Sequence, residues 1–250
     1  MKKIVLLLTV TIVMLSCSKV GKNEYLITGE AKGVANGKKV YLKQQNETGI
    51  IITADSAKVK DGKFEMKGKV TEPAMFAVAI EGLQQPVPIV LENGEIEVAI
   101  DKDSIWKSKI GGTSNNDEFQ KFNNETNTIR KKLVDYQNKN MQKFMAARQK
   151  NDTVVANKLT KGFNVIQKEL ETYFKEYPAK NDDSYISLLL LNETFNAPDF
   201  NLEKVTKTFE DLDDDLKKTK IGKSIDAKLK SIKENSKKKM NPATQPQPQK

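Results

Sequence analysis

The chain contains no histidine, and its only cysteine is Cys17. Without histidine there is no Ser-His-Asp triad, no HExxH zinc site and no imidazole to act as a general base near neutral pH. A single thiol excludes a disulfide within the chain, a CxxC redox pair and structural zinc built from Cys and His. No apolar run reaches the roughly 20 residues needed to cross ~30 Å of hydrocarbon. No stripe of arginines interleaved with aromatics is present to read or stack nucleic-acid bases. These absences predict a chain with no catalytic residues of the common kinds, no metal ligands, no cofactor and no nucleic-acid partner. Carboxylate pairs, carboxylate metal sites and Ser-Lys dyads are the chemistry the composition leaves open.

What is present begins with a leader. Lys2 and Lys3 precede a twelve-residue, mostly apolar run over residues 4–15, with small residues at Ser16 and Ser18. That is the layout of a signal peptide, and the run is too short to span a membrane. Met14-Leu15-Ser16-Cys17 resembles the lipobox of bacterial lipoproteins, although Leu15 departs from the small residue usual there. The resemblance implies cleavage between Ser16 and Cys17, diacylglycerol on the Cys17 thiol and acylation (palmitate, for example) of the new amino group. Two or three acyl chains make attachment lasting where one is marginal. The alternative is an ordinary secretory signal with an incidental cysteine. The expected plan is a signal peptide over 1–16 and a lipidated tether over 17–24, placing the chain in the cell envelope. The outer membrane is the expected site, with the periplasmic or surface face left open. The formal charge of +9 falls to +7 when Lys2 and Lys3 leave.

From 25 to 112, apolar residues alternate with polar ones in short runs, the period of half-buried strands. Tyr25, Ile27 and Gly29 alternate, as do Val40 and Leu42, Phe64 and Met66, and Ile96, Val98 and Ile100. Residues 50–60, 75–80, 87–91 and 105–110 complete seven or eight strands, predicting an antiparallel sandwich or partly open barrel. Asn36-Gly37, Asp61-Gly62 and Asn93-Gly94 read as tight hairpin turns. Pro73, Pro86 and Pro88 belong at strand ends or on an edge.

The run from Asp55 to Gly68, Asp-Ser-Ala-Lys-Val-Lys-Asp-Gly-Lys-Phe-Glu-Met-Lys-Gly, is followed by Pro73. With Ile27-Thr28-Gly29 and Leu91-Glu92-Asn93-Gly94, it resembles a β domain of unknown function in Bacteroidota lipoproteins. In those relatives the domain precedes a thioredoxin-like or peroxiredoxin-like domain of the thiol:disulfide interchange type. The pattern covers roughly residues 25 to 112. No Trp-Cys-x-x-Cys site follows here, so the resemblance implies that any redox chemistry is supplied by a thioredoxin-like partner.

Residues 113–239 read as about five helices, making the whole a segregated α+β fold. Phe119, Phe122, Thr126, Ile129, Leu133, Tyr136 and Asn140 form one helical seam. Val155, Leu159, Phe163, Ile166, Leu170 and Phe174 form a second, ended by Pro178, and the short link predicts an antiparallel hairpin. Ser184 is a candidate N-cap for a buried helix over 185–192. Leu202, Val205, Phe209, Leu212 and Leu216 make a fourth stripe, and Ile221, Ile225, Leu229 and Ile232 a fifth. These seams pack against one another, or else form a partner groove or dimerising coiled coil. Lys217 to Lys239 holds ten lysines against Asp226 and Glu234, which places the excess charge near the C-terminus. That helix presents either a solvated surface or a contact for an anionic glycan or lipid surface. Residues 240–250, rich in Pro and Gln, are expected to be a disordered tail.

The remaining polar clusters carry little chemistry. Asp213-Asp214-Asp215 lacks the ligand spacing of an EF-hand and reads as a helix-end cluster. Glu95 and Glu97 alternate outward beside Glu92, and Gly111-Gly112-Thr113 lacks the spacing of a phosphate loop. Asp55-Ser56-Ala57, Asp103-Ser104-Ile105 and Asp152-Thr153-Val154 resemble the Asp-Ser/Thr-apolar motif for O-glycosylation of exported Bacteroidota proteins. That resemblance makes Ser56, Ser104 and Thr153 candidate sites. Tyr25, Tyr41, Phe76 and Trp106 are candidates for a glycan-stacking platform, with alternation placing most of them in the core. The expectation is a non-catalytic, membrane-anchored binding module. Its alternatives are an accessory to a thioredoxin-like protein in trans and a glycan-binding lipoprotein.

Overall fold

The computed structural model of the protein describes residues 20–46 and 48–240, with the side chains of 238–240 left aside. Ser16 and Cys17, with the rest of the leader, and the tail from 241 lie outside these residues. Eight strands come first: β1 (Glu24–Glu30), β2 (Lys39–Gln45), β3 (Ile51–Lys58), β4 (Lys63–Lys69), β5 (Ala74–Ile80), β6 (Val87–Leu91), β7 (Gly94–Ala99) and β8 (Lys109–Gly111). Six helices follow: α1 (Ser114–Gln149), α2 (Thr153–Lys180), α3 (Tyr185–Glu193), α4 (Leu202–Asp211), α5 (Asp214–Lys218) and α6 (Lys220–Met240). The segregated α+β architecture matches the expectation from pattern.

The strands form two four-stranded sheets, ordered β4-β1-β7-β8 and β3-β2-β5-β6. Alternation fixes their faces: Phe64, Met66, Ile96 and Val98 are buried while Glu65, Lys67 and Glu97 are exposed. Direction is another matter, because a period of two is the same for either sense of pairing. β1 and β7 pair in parallel, which departs from a wholly antiparallel sandwich. The chain between them builds the other sheet, adds β4 to the far side of β1, and returns running the same way.

The turn signals also mark different junctions from those expected. Asp61 and Gly62, with φ of 52° and 72°, do form a tight turn closing the Lys60–Lys63 pair. The flanking strands β3 and β4 nevertheless pass into opposite sheets. Asn36-Gly37 and Asn93-Gly94 are likewise links between sheets rather than hairpin turns. Asn93 Nδ2 donates to the carbonyls of Gly21 and Glu24, so its side chain anchors the start of β1. Residues 105–110 are a 3-10 turn over Ile105–Lys107 followed by short β8. Asp101 takes the backbone N–H groups of Asp103 and Ser104 and so bends the chain before a strand can form. Pro88 sits on edge strand β6, as its missing donor requires.

Two glycines of β1 and β4 face rings across the pair. Gly29 opposes Phe64, and Gly68 opposes Tyr25. A Cβ on Gly29 would lie 2.0 Å from Phe64 Cζ, and one on Gly68 would lie 2.7 Å from the Tyr25 oxygen. Each ring covers the strand where its partner has no side chain.

Helix α1 closes the open side of the sandwich. Asn116, fully buried, accepts from Val90 N–H at 3.0 Å and donates to Val90 C=O at 2.7 Å. It therefore pairs edge strand β6 as a neighbouring strand would. One turn later Gln120 Oε1 accepts from Ile110 N–H of edge strand β8 at 2.8 Å. Glu92, on the link between β6 and β7, accepts from the backbone and side-chain amides of Asn115 in the first turn of α1. A carboxylate there satisfies an orphan donor and meets the positive end of the helix dipole. The hydrophobic core runs without a break from Ile27 and Ile96 through Phe119, Tyr177 and Leu188 to Ile225.

Two helix ends differ from the pattern. Helix α2 continues past Pro178 to Lys180, and Asn181 closes it by donating both its backbone and side-chain N–H to Tyr177 C=O. In the last turn the missing proline donor costs a single bond. The fourth stripe is broken into α4 and α5 because Asp213 restarts the helix. Its side chain accepts from Asp215 N–H, and its own N–H donates to Asp182 C=O. Ser184 caps α3 as expected.

Burial raises the phenol pKa of Tyr25 and of Tyr185 from an ordinary value of 10.0 to about 12 and raises that of Tyr177 further. Asp55 beside Tyr25 and Glu72 near Tyr185 add to the effect by disfavouring a second negative charge. The folded chain therefore keeps protons that the unfolded chain releases above pH 10. Stability is expected to hold up to about pH 10 and to fall as pH rises toward 12. Urea titrations across pH 8–12, with phenolate absorbance followed in parallel, check this; phenol ionisation preceding any loss of stability would contradict it.

Candidate binding site

The far part of the α1–α2 hairpin is only thinly enclosed. Its link is three residues long, with Asn151 in the left-handed region at φ 54° and Asp152 capping α2 through Val155 N–H. Near the sandwich the seam is aromatic: Phe122 stacks on Tyr173 and Phe174 and meets Tyr177 edge-on at 5.0 Å. Burial then falls along α1. Phe119, Phe122, Thr126 and Ile129 are buried, whereas Leu133, Tyr136 and Asn140 are half-buried. On α2 every apolar residue of the seam from Val155 to Phe174 is half-buried. Two helices alone cannot cover both sides of their shared seam, so one side opens as a groove.

That groove has a volume of about 230 Å³, and Tyr136, Met141, Phe144, Leu159 and Phe163 form its apolar lining. Met141, which lines it, is 54% exposed, and Met145 one turn further along α1 is 52% exposed. Methionine is unbranched and polarisable, so such a surface adapts to varied apolar partners. Tyr136 gives the groove a rigid floor. Its hydroxyl donates to Leu159 C=O at 3.0 Å, and the ring reaches α2 because residue 162 is glycine. A Cβ there would stand 2.1 Å from the Tyr136 oxygen.

The hairpin is also strongly basic. Residues 130–168 hold ten Lys and Arg against Asp135 and Asp152 alone, a net charge of +8. The C-terminal lysines are more neutralised: Lys217, Lys218, Lys220 and Lys230 pair with Asp214, Asp215, Glu72 and Asp226. Lys228 bonds Asn192 and lies over the Phe195 ring. The excess charge near the C-terminus stands, with ten lysines against two acids over 217–239, and the hairpin tip is a second basic stretch beside it.

The other sequence candidates are dispersed. Asp213 and its neighbours form a cap with lysine partners, and among the described residues no group of three or more carboxylates could hold a metal ion. Glu95 is half-buried and Glu97 exposed. Gly111-Gly112-Thr113 is the β8–α1 junction, where Gly112 at φ 88° passes against the Glu95 carbonyl. Ser56 is exposed on β3 and Thr153 exposed at the start of α2, while Ser104 is half-buried. Of the four candidate platform aromatics, Tyr25 is buried, Tyr41 and Phe76 are half-buried, and Trp106 is 67% exposed beneath Lys107. A separate apolar patch, Ile50 to Ile52, lies at the tip of the β2–β3 ribbon, and a bulge interrupts the pairing further along at Leu42/Lys43. No helix of the described residues is long and apolar enough to cross a membrane.

No curated protein matches the chain at a significant level. The matched segment runs from the first buried strand residue to Phe119, so it takes in the sandwich together with Asn116 that closes it. Over residues 25–119 the chain matches the family model described as Domain of unknown function (DUF4369).

Proposed function

We propose that this protein is a non-catalytic lipoprotein of the cell envelope, tethered through Cys17, that presents the α1–α2 groove to a binding partner. The observation that carries the reading is the groove itself: an apolar trough with exposed methionines on a basic helical hairpin. The lipobox-like Met14-Leu15-Ser16-Cys17 supports the tether. It is tested by Cys17→Ala, for which labelled palmitate incorporation and membrane pelleting are expected to be lost while the circular dichroism of the soluble chain is unchanged. A labelled, pelleting variant would overturn the anchor. A second reading rests on the resemblance of residues 25 to 112 to the β domain that precedes thioredoxin-like domains in Bacteroidota lipoproteins. In that version the groove serves a thiol-redox protein in trans. The protein alone is expected to give no turnover in insulin reduction, and turnover would contradict both versions.

A further inference from the structure

Of the 42 Lys and Arg residues, only Arg130 and Arg148 are arginine. Both stand on one stripe of α1. Arg130, Val134, Gln137, Met141, Phe144 and Arg148 follow one another at steps of three or four, the spacing of a single helix face. The arginines are 18 residues apart, about five turns or ~27 Å along the axis. Gln137, Met141 and Phe144 between them line the groove. The ion pairs of this part of α1 are made by lysines, Lys131 with Asp135 and Lys132 with Glu169. Among the described residues no carboxylate pairs with either arginine. Arg148 lies in the last turn, where the helix dipole alone accounts for a cation; Arg130 lies mid-helix and has no such account.

Resting on the groove as the docking face, we propose that its occupant is an acidic amphipathic helix of a partner protein. Its apolar face lies along Met141, Phe144 and Phe163, and carboxylates near its two ends meet Arg130 and Arg148. Guanidinium is the side chain whose planar fork matches a carboxylate, which lysine does not offer. A helix laid in an apolar groove is an established mode of peptide capture, and about 18 residues of helix span the distance. A second copy of this chain is disfavoured, because it would set two groove-bearing 130–168 segments, each of net charge +8, against each other. An anionic bilayer shares the charge, but its surface has no ridge to enter a trough lined by Met141, Phe144 and Phe163.

The test uses the purified protein and a labelled 18-residue helical peptide with one leucine face and glutamates near both ends. A lysine-ended peptide of the same pattern and phosphatidylglycerol vesicles serve as comparisons. Anisotropy is expected to show saturable binding of the glutamate peptide, weakened by salt, with the lysine peptide at least about tenfold weaker. An Arg130→Gln, Arg148→Gln double variant with an unchanged melting curve is expected to lose about tenfold in affinity. Equal binding of the two peptides, indifference to the arginines, or binding to vesicles alone would each overturn the proposal. If the glutamate peptide fails while a photocrosslinker at Met141 still captures a partner in cells, the occupant is wrong and the groove stands. If both fail, the groove reading falls with it.

Discussion

Gly29→Val is expected to lower the stability of the fold by about 3 kcal/mol, read as a fall in the urea midpoint with an unchanged slope. The added Cβ would stand 2.0 Å from Phe64 Cζ, and Phe64 is 5% exposed in the core. The ring has to leave, and removing a phenylalanine from a core costs ~3–5 kcal/mol, offset by at most ~1 kcal/mol of better strand propensity. The double variant Gly29→Val, Phe64→Ala separates this cause from a backbone effect. Valine then occupies part of the space the ring gave up, so the double variant is expected to cost well under the sum of the singles. Additive losses would show that the two residues do not share one site.

Asn116→Leu is expected to cost about 3 kcal/mol as well, by a different route. Leucine keeps the helix and fills the volume, but the Val90 N–H and C=O both lose their only partner on the outer edge of β6. Each buried backbone group left unpaired costs ~1–3 kcal/mol. Hydrogen exchange at Val90 is the specific readout: its protection is expected to drop far more than that of residues in the interior strand β5. Wild-type protection at Val90 in the leucine variant would mean that α1 does not close the sandwich.

These two residues also show what the sequence could and could not convey. The inward faces of β1, β4 and β7 were legible because one face is buried and the period is two. Strand direction was not, because alternation is blind to it, and so the parallel β1–β7 pair went unread. Gly29 and Gly68 were visible as members of a motif. Their reason, a ring standing across the strand pair, exists only once the register is set. Asn116 was illegible for a related cause. A polar side chain in the first turn of an amphipathic helix looks solvated until a sheet edge is brought against it.

On the hairpin, the seam of α1 and α2 was read correctly as a helical stripe. Pattern alone does not say how many helices cover a seam, and the half-burial from Leu133 to Phe144 is what turns it into a groove. The two arginines at 18-residue spacing were available in the sequence. Their meaning waited on the groove between them.

The central claim is that the open side of the hairpin, and not its back, meets the partner. A photocrosslinking side chain placed at Met141 lies in the groove; one at Val165, 70% exposed, lies two residues past Phe163 and so on the far side of α2. Irradiation of intact cells carrying each version of the full chain reads the two faces directly. A discrete adduct from Met141 with none from Val165 is the predicted result. Adducts from Val165 alone, or the same adducts from both positions, would contradict it.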